Sequence, residues 1–167
     1  TEQVKQLLGI INRDTIVGKR DYAIVSLMVR TGVRRVEVCR MKVGDITNGE
    51  RTLIRLQRKG KVDKSCSIGV TDKVLDVIHD YLVCRGEIIE SDYLFVSHAR
   101  GYKQAALNPA TVSKIVKARM KSIGLDSKFL TCHSLRHTAA VLSLKAGATI
   151  YDVQQMLGHS SIDTTKI

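Results

Sequence analysis

Thr31-Gly32-Val33-Arg34-Arg35-Val36-Glu37 is the stretch on which the reading of this chain turns. Upstream of it, Asp21 to Arg30 is apolar almost all round (Tyr22, Ala23, Ile24, Val25, Leu27, Met28, Val29), the pattern of a helix buried on every side. Gly32 stops that helix, and Val33 to Met41 resumes as a shorter one. Arg34 then stands near a helix N-terminus, where unpaired backbone N–H groups also draw anions. Glu37 lies one turn further on, placed to hold the Arg34 side chain by a charge-assisted bond. The bland alternative is a solvated helix face, since Arg30, Arg34, Arg35, Arg40 and Lys42 are close together.

The surrounding pattern is mostly helical. Thr1 to Ile11 carries an apolar stripe at 4, 7, 8 and 11. Thr71 to Arg85 repeats apolar residues at 74, 77, 78, 81 and 82, with Thr71 as its expected N-cap. Asn108-Pro109 opens a helix that runs to Ile123 and stops at Gly124. Ser134 to Ala146 forms another, ended by Gly147. Ile150 to Leu157 forms a shorter one, ended by Gly158, and Ser160-Ser161-Ile162-Asp163 reads as a capping box opening a further helix. Leu53 to Gln57 and Cys66 to Val70 alternate as the two strands of a hairpin, Asp45-Ile46 suggests a short third strand, and Tyr93 to Val96 is an apolar run of open type. The expectation is a single mixed α/β domain, mainly helical, with a small antiparallel β-sheet.

Composition narrows the function classes. With 167 residues, 44% of them apolar, the chain can bury a core, and at 4% aromatic without Trp that core is aliphatic. A formal net charge of +11 points to a polyanionic partner rather than a membrane surface, because the basic residues are spread over several elements. Cys39, Cys66, Cys84 and Cys132 show no C-x-x-C pair and read as reduced core residues of a cytoplasmic protein. No apolar run is long enough to span a bilayer.

A second motif, His133-Ser134-Leu135-Arg136-His137, is followed by Leu157-Gly158-His159. On a helix 133, 136 and 137 share a face. Zinc is disfavoured there by Arg136, whereas a guanidinium fork beside imidazole donors suits an anion. The bland reading of His137 is a core histidine packed at the helix interior. Arg58, Lys59, Lys61 and Lys64 gather at the hairpin tip, where a lysine could swing into a groove, although a basic turn by itself is usually a solvated one.

Taken in order, these pieces resemble the catalytic domain of the tyrosine recombinases, or phage-type integrases. Thr31-Gly32-Val33-Arg34-x-x-Glu37 resembles the first-arginine box, and Lys59-Gly60 the catalytic-lysine turn. His133-x-x-Arg136-His137-Thr138 resembles the histidine–arginine box, and Leu157-Gly158-His159-Ser160-Ser161 the segment leading to the nucleophile. The resemblance covers Asp21 to Ile167. It implies the recombinase catalytic-domain fold and DNA strand cleavage and rejoining through a 3′-phosphotyrosyl intermediate. Arg34 and Arg136 would clamp the scissile phosphate, His133 would assist proton transfer, and His159 would donate to the phosphate. Lys59 would protonate the leaving oxygen, with Lys61 a competitor for that role. Glu37 and His137 would support these residues, and Arg35, Arg58, Lys61 and Lys64 would contact DNA.

No metal and no cofactor is implied. The implied partner is a double-stranded recombination site, bound by a homotetramer of the full-length protein. The family's nucleophilic Tyr falls just past Ile167, and Tyr22, Tyr81, Tyr93, Tyr102 and Tyr151 do not match its position. Residues 1–167 are therefore expected to be a C-terminal catalytic domain cut just before its nucleophile, without the N-terminal DNA-binding domain and without cleavage activity of its own. The competing readings are a DNA-gripping module that never cuts, a type IB topoisomerase-like enzyme, and a metal-dependent phosphoesterase using His133, His137 and His159.

Overall fold

The computed structural model describes residues 2–58, 62–100 and 104–158. Its elements run α1 (Glu2–Gly9), α2 (Ile16–Thr31), α3 (Arg35–Arg40), β1 (Ile46–Thr47), β2 (Leu53–Leu56), β3 (Cys66–Gly69), α4 (Asp72–Val83), α5 (Pro109–Ser122), α6 (Cys132–Lys145) and α7 (Ile150–Leu157).

The frame is α2. Ala23, Ile24, Val25, Leu27, Met28 and Val29 are all buried, and the helix packs against α4 and α6. It starts a turn earlier than its fully apolar segment, because Thr15 caps it by accepting from the Gly18 N–H at 3.0 Å. The charges buried with it form a matched set. Asp21 accepts from Arg20 on one oxygen (2.7 and 3.1 Å) and from Arg119 of α5 on the other (2.9 Å), while Arg20 also donates to the Val96 carbonyl at 3.2 Å. Each buried charge thus meets an opposite one, which tethers α2 to α5 and to the Tyr93–Val96 run. That run pairs through single bridges, Lys42 with Tyr93 and Val96 with Ala106.

The sheet is antiparallel in the order β1-β2-β3, with Ile54 opposite both Ile46 and Ile68. Alternation turns Ile54, Leu56 and Ile68 inward. Asn108 caps α5 by accepting from the Thr111 N–H at 2.8 Å, with Pro109 in the first helical position. Thr71 occupies the N-cap position of α4, but its side chain makes no capping bond. Of the cysteines expected in the core, Cys39 and Cys132 are buried, Cys66 is half-buried and Cys84 is exposed. The capping box at Ser160 lies outside the described residues. No helix among the described residues is long and apolar enough to cross a membrane.

The last helix among the described residues is attached differently from the rest. Val153 and Leu157 of α7 form a small cluster with Ala140 of α6, separate from the main core. Gly32 makes that docking possible. Its φ of +65° ends α2 in the left-handed conformation, its N–H donates to the Met28 carbonyl at 2.9 Å, and a Cβ there would stand 2.6 Å from Leu157 Cδ2. Gly32→Ala is expected to cost about 1–3 kcal/mol in urea unfolding, combining backbone strain with a clash against α7. Gly124→Ala has a comparable positive φ but no atom within 4 Å of the new Cβ, so it should show the smaller, strain-only loss. Equal losses at the two sites would remove the packing role assigned to Gly32.

Candidate active site

Three chain segments meet where α2 ends. Gly32 turns the chain so that Arg34 precedes α3, and α6 brings Arg136 up beside it. Arg34 and Arg136, with Val33, Arg35, Val36, Thr131, Cys132 and His133, line one open cleft of about 480 Å³. The two motif arginines therefore converge.

Each guanidinium is held in its own way. Arg136 is buried at 8% exposure and donates through Nη1 to the Gly32 carbonyl at 2.5 Å and through Nη2 to the Leu157 carbonyl. Both acceptors are neutral, so its position is fixed while its charge is not cancelled. Burial pushes it down to about 10, with repulsion from Arg34 and Arg58 adding to the effect and Glu37 opposing it. It remains a cation at neutral pH in surroundings that favour an incoming anion.

Arg34 is held by Glu37, whose side chain has no exposed surface. One Glu37 oxygen accepts from the Arg34 backbone N–H at 2.8 Å, and the other accepts from Arg34 Nη1 at 3.1 Å. The second oxygen also takes a bond from Arg58 Nη1 at 3.2 Å. The support expected of Glu37 for Arg34 is present, and a second cation shares the carboxylate.

The remaining site residues divide. His133 is exposed on the cleft in the first turn of α6, where its N–H donates to the capping hydroxyl of Thr131 at 3.2 Å. Arg35 lines the same cleft and donates to the Ser113 hydroxyl at 2.6 Å. Cys132 also reaches the cleft, but burial raises its thiol, so it stays protonated and a poor nucleophile.

His137 corrects the sequence reading. It is exposed rather than packed in the helix interior, and it does not line the cleft. Arg58 and Lys64 correct it too. Arg58 is only 12% exposed at its side chain and turns inward to Glu37, and Lys64 pairs with Asp45. Neither is displayed at a solvated tip as a free DNA contact. Lys59, Lys61 and His159 lie outside the described residues. Among the described residues no group of three or more His, Cys, Asp or Glu side chains could hold a metal ion.

Sequence reasoning missed the carbonyls of Gly32 and Leu157 as the acceptors that seat Arg136. Adjacency was the available signal, since Gly32 is two residues from Arg34 and Leu157 two from His159. Glu37→Gln is expected to destabilise the domain by about 3–5 kcal/mol, because it strips the counter-charge from two partly buried guanidiniums. Chemical denaturation measures it, and a loss under about 1 kcal/mol would show the two arginines to be neutralised in some other way.

The geometry has close relatives. A model of the phage integrase family matches residues 1–167. The chain is 38% identical over 166 residues to tyrosine recombinase XerA of Pyrococcus furiosus, covering 99% of this chain and 54% of that one. Among solved structures, XerA recombinase superposes with a TM-score of 0.80 at 32% identity, covering 98% of this chain and 56% of that one. XerH site-specific recombinase, bound to a palindromic difH substrate in a post-cleavage complex, gives 0.83 at 26% identity, covering 99% and 47%. The chain spans about half the length of the curated relatives it matches. With the ordered motifs, the converged arginines and this similarity in hand, the chain belongs to the phage integrase family of tyrosine recombinases.

Proposed function

We propose that residues 1–167 are the catalytic domain of a site-specific DNA recombinase that breaks and rejoins strands by transesterification. The observation that carries this reading is the placement of Arg34 and Arg136, from distant boxes, on one cleft. A guanidinium has five N–H donors. Arg136 spends two on backbone carbonyls and offers the rest to the non-bridging oxygens of a phosphodiester, with Arg34 lining the same cleft. Fixed cations aimed at developing charge are the main means of accelerating phosphoryl transfer. The XerH relative, solved on its recombination substrate, supports duplex DNA as the partner.

In this mechanism a tyrosine oxygen attacks the scissile phosphorus. The bond from phosphorus to the 5′-oxygen breaks as the 3′-phosphotyrosyl bond forms. Lys59 supplies the proton to the departing 5′-oxygen, His133 assists proton transfer at the nucleophile, and His159 donates to the phosphate. One ester replaces another, so no energy cofactor is consumed. The reading requires a tyrosine at the position following Ile167 in the whole protein. It places that protein on paired sites as a homotetramer, the arrangement that exchanges strands between two duplexes.

Full-length protein incubated with a nicked suicide duplex should accumulate a covalent protein–DNA adduct. Arg34→Ala and Arg136→Ala should each lower the adduct rate by about 100-fold or more, while duplex binding weakens far less. Near-normal cleavage by either variant would break the clamp assignment. Binding of the isolated domain to duplex DNA should also fall steeply with salt, as log K against log salt with a slope of several units. A flat response would make the net charge incidental.

A further inference from the structure

The functional reading leaves Arg58 without a role, although it is among the most thoroughly engaged cations of the domain. Its side chain is 12% exposed, and it crosses from the end of β2 to two other segments. Nη1 donates to Glu37 at 3.2 Å and to the Leu157 carbonyl at 3.3 Å, and Nη2 reaches the Met156 carbonyl at 3.5 Å. The guanidinium packs closely against Gly158. A Cβ there would stand 2.7 Å from Arg58 Cζ, and the φ of +61° already selects glycine. Arg58 Nε is buried with no hydrogen-bond partner, so this side chain is held at a cost that its ion pair and its two carbonyl contacts must offset.

These contacts meet both halves of the clamp. Glu37 is the group that orients Arg34. Leu157 O accepts from Arg136 as well as from Arg58. The carbonyl end of α7 is thus gripped by two cations, where the helix dipole favours positive charge. That grip matters because the apolar docking of α7 is confined to a small cluster apart from the main core.

We infer that Arg58 is a positioning residue for the phosphate clamp, acting through Glu37 on Arg34 and through the Leu157 carbonyl on Arg136. By sharing the Glu37 carboxylate it keeps that charge from being spent wholly on Arg34. By holding Leu157 O it keeps in place the carbonyl that seats Arg136. It touches neither substrate nor reacting atoms, and it rests on the recombinase reading given above.

The test uses full-length protein with two suicide duplexes. One carries an ordinary scissile phosphodiester. The other carries a methylphosphonate there, which lacks one charged non-bridging oxygen and so asks less of the clamp. Arg58→Met should form the covalent adduct on the ordinary duplex about 10–100-fold more slowly than the unaltered protein, with the duplex concentration for half-maximal rate changed by no more than about threefold. On the methylphosphonate the deficit should shrink to about threefold or less. Arg58→Lys keeps the charge and one donor and should fall between, and it carries the same comparison if the Met variant does not fold.

A wild-type rate for Arg58→Met, or an equal deficit on both duplexes, overturns the inference, because a general loss of stability would slow both alike. If the unaltered protein forms no adduct on either duplex, the recombinase reading itself fails and the Arg58 role with it.

Discussion

A carboxylate with no exposed surface organises this site. An isolated buried charge costs several kcal/mol, so Glu37 is tolerable only with its partners in place. Those partners are the Arg34 backbone N–H, the Arg34 guanidinium and the Arg58 guanidinium. Two segments of the chain, the start of α3 and the end of β2, must meet to satisfy one side chain. Arg136 then adds a third guanidinium beside them, so the cluster holds three cations against a single anion. That imbalance is unfavourable: repulsion from Arg34 and Arg58 adds to the burial that pushes Arg136 down. Under the proposed function a phosphodiester would restore the balance, and one gaining charge in a transition state would do so further.

The precision of the cluster comes from what it is mounted on. The buried α2 ends at Gly32, and the same residue supplies the turn that leads to Arg34, the carbonyl that seats Arg136 and the space that admits Leu157. A side chain at that one position would disturb all three. The apolar frame and the polar site are thus joined at a single backbone turn, which is how a buried core helix sets the placement of both arginines.

Much of this was legible in the sequence, and the failures have physical causes. The buried helix, the glycine stops, the Asn108-Pro109 start and the hairpin alternation are local signals, and each appears where expected. His137 was misplaced because the shared face of 133, 136 and 137 fixes their relative phase and not which way the helix points. The apolar arc supplies that direction. At about 100° per residue, Cys132, Leu135, Ala139 and Ala140 define a buried side that takes in Arg136 and leaves His137 roughly opposite. Arg58 was misread for a different reason. A basic residue beside a turn is ordinarily solvated, and only the distant Glu37 and the end of α7, neither visible in the local pattern, draw it inward.

The two cleft arginines are held by opposite devices, and the difference bears on how much charge each retains. Arg136 is anchored by neutral carbonyls, which fix direction without cancelling charge. Arg34 is anchored by a carboxylate, which fixes direction but draws on its field. Were Glu37 paired with Arg34 alone, the pair would be close to neutral and would offer a phosphate little. The second cation on the same oxygen changes this, because a carboxylate divided between two guanidiniums leaves a net positive charge on the set. Rigid placement and residual charge usually compete, since the strongest anchors for a cation are anions. Here the competition is resolved by adding a cation, Arg58, that does not line the cleft.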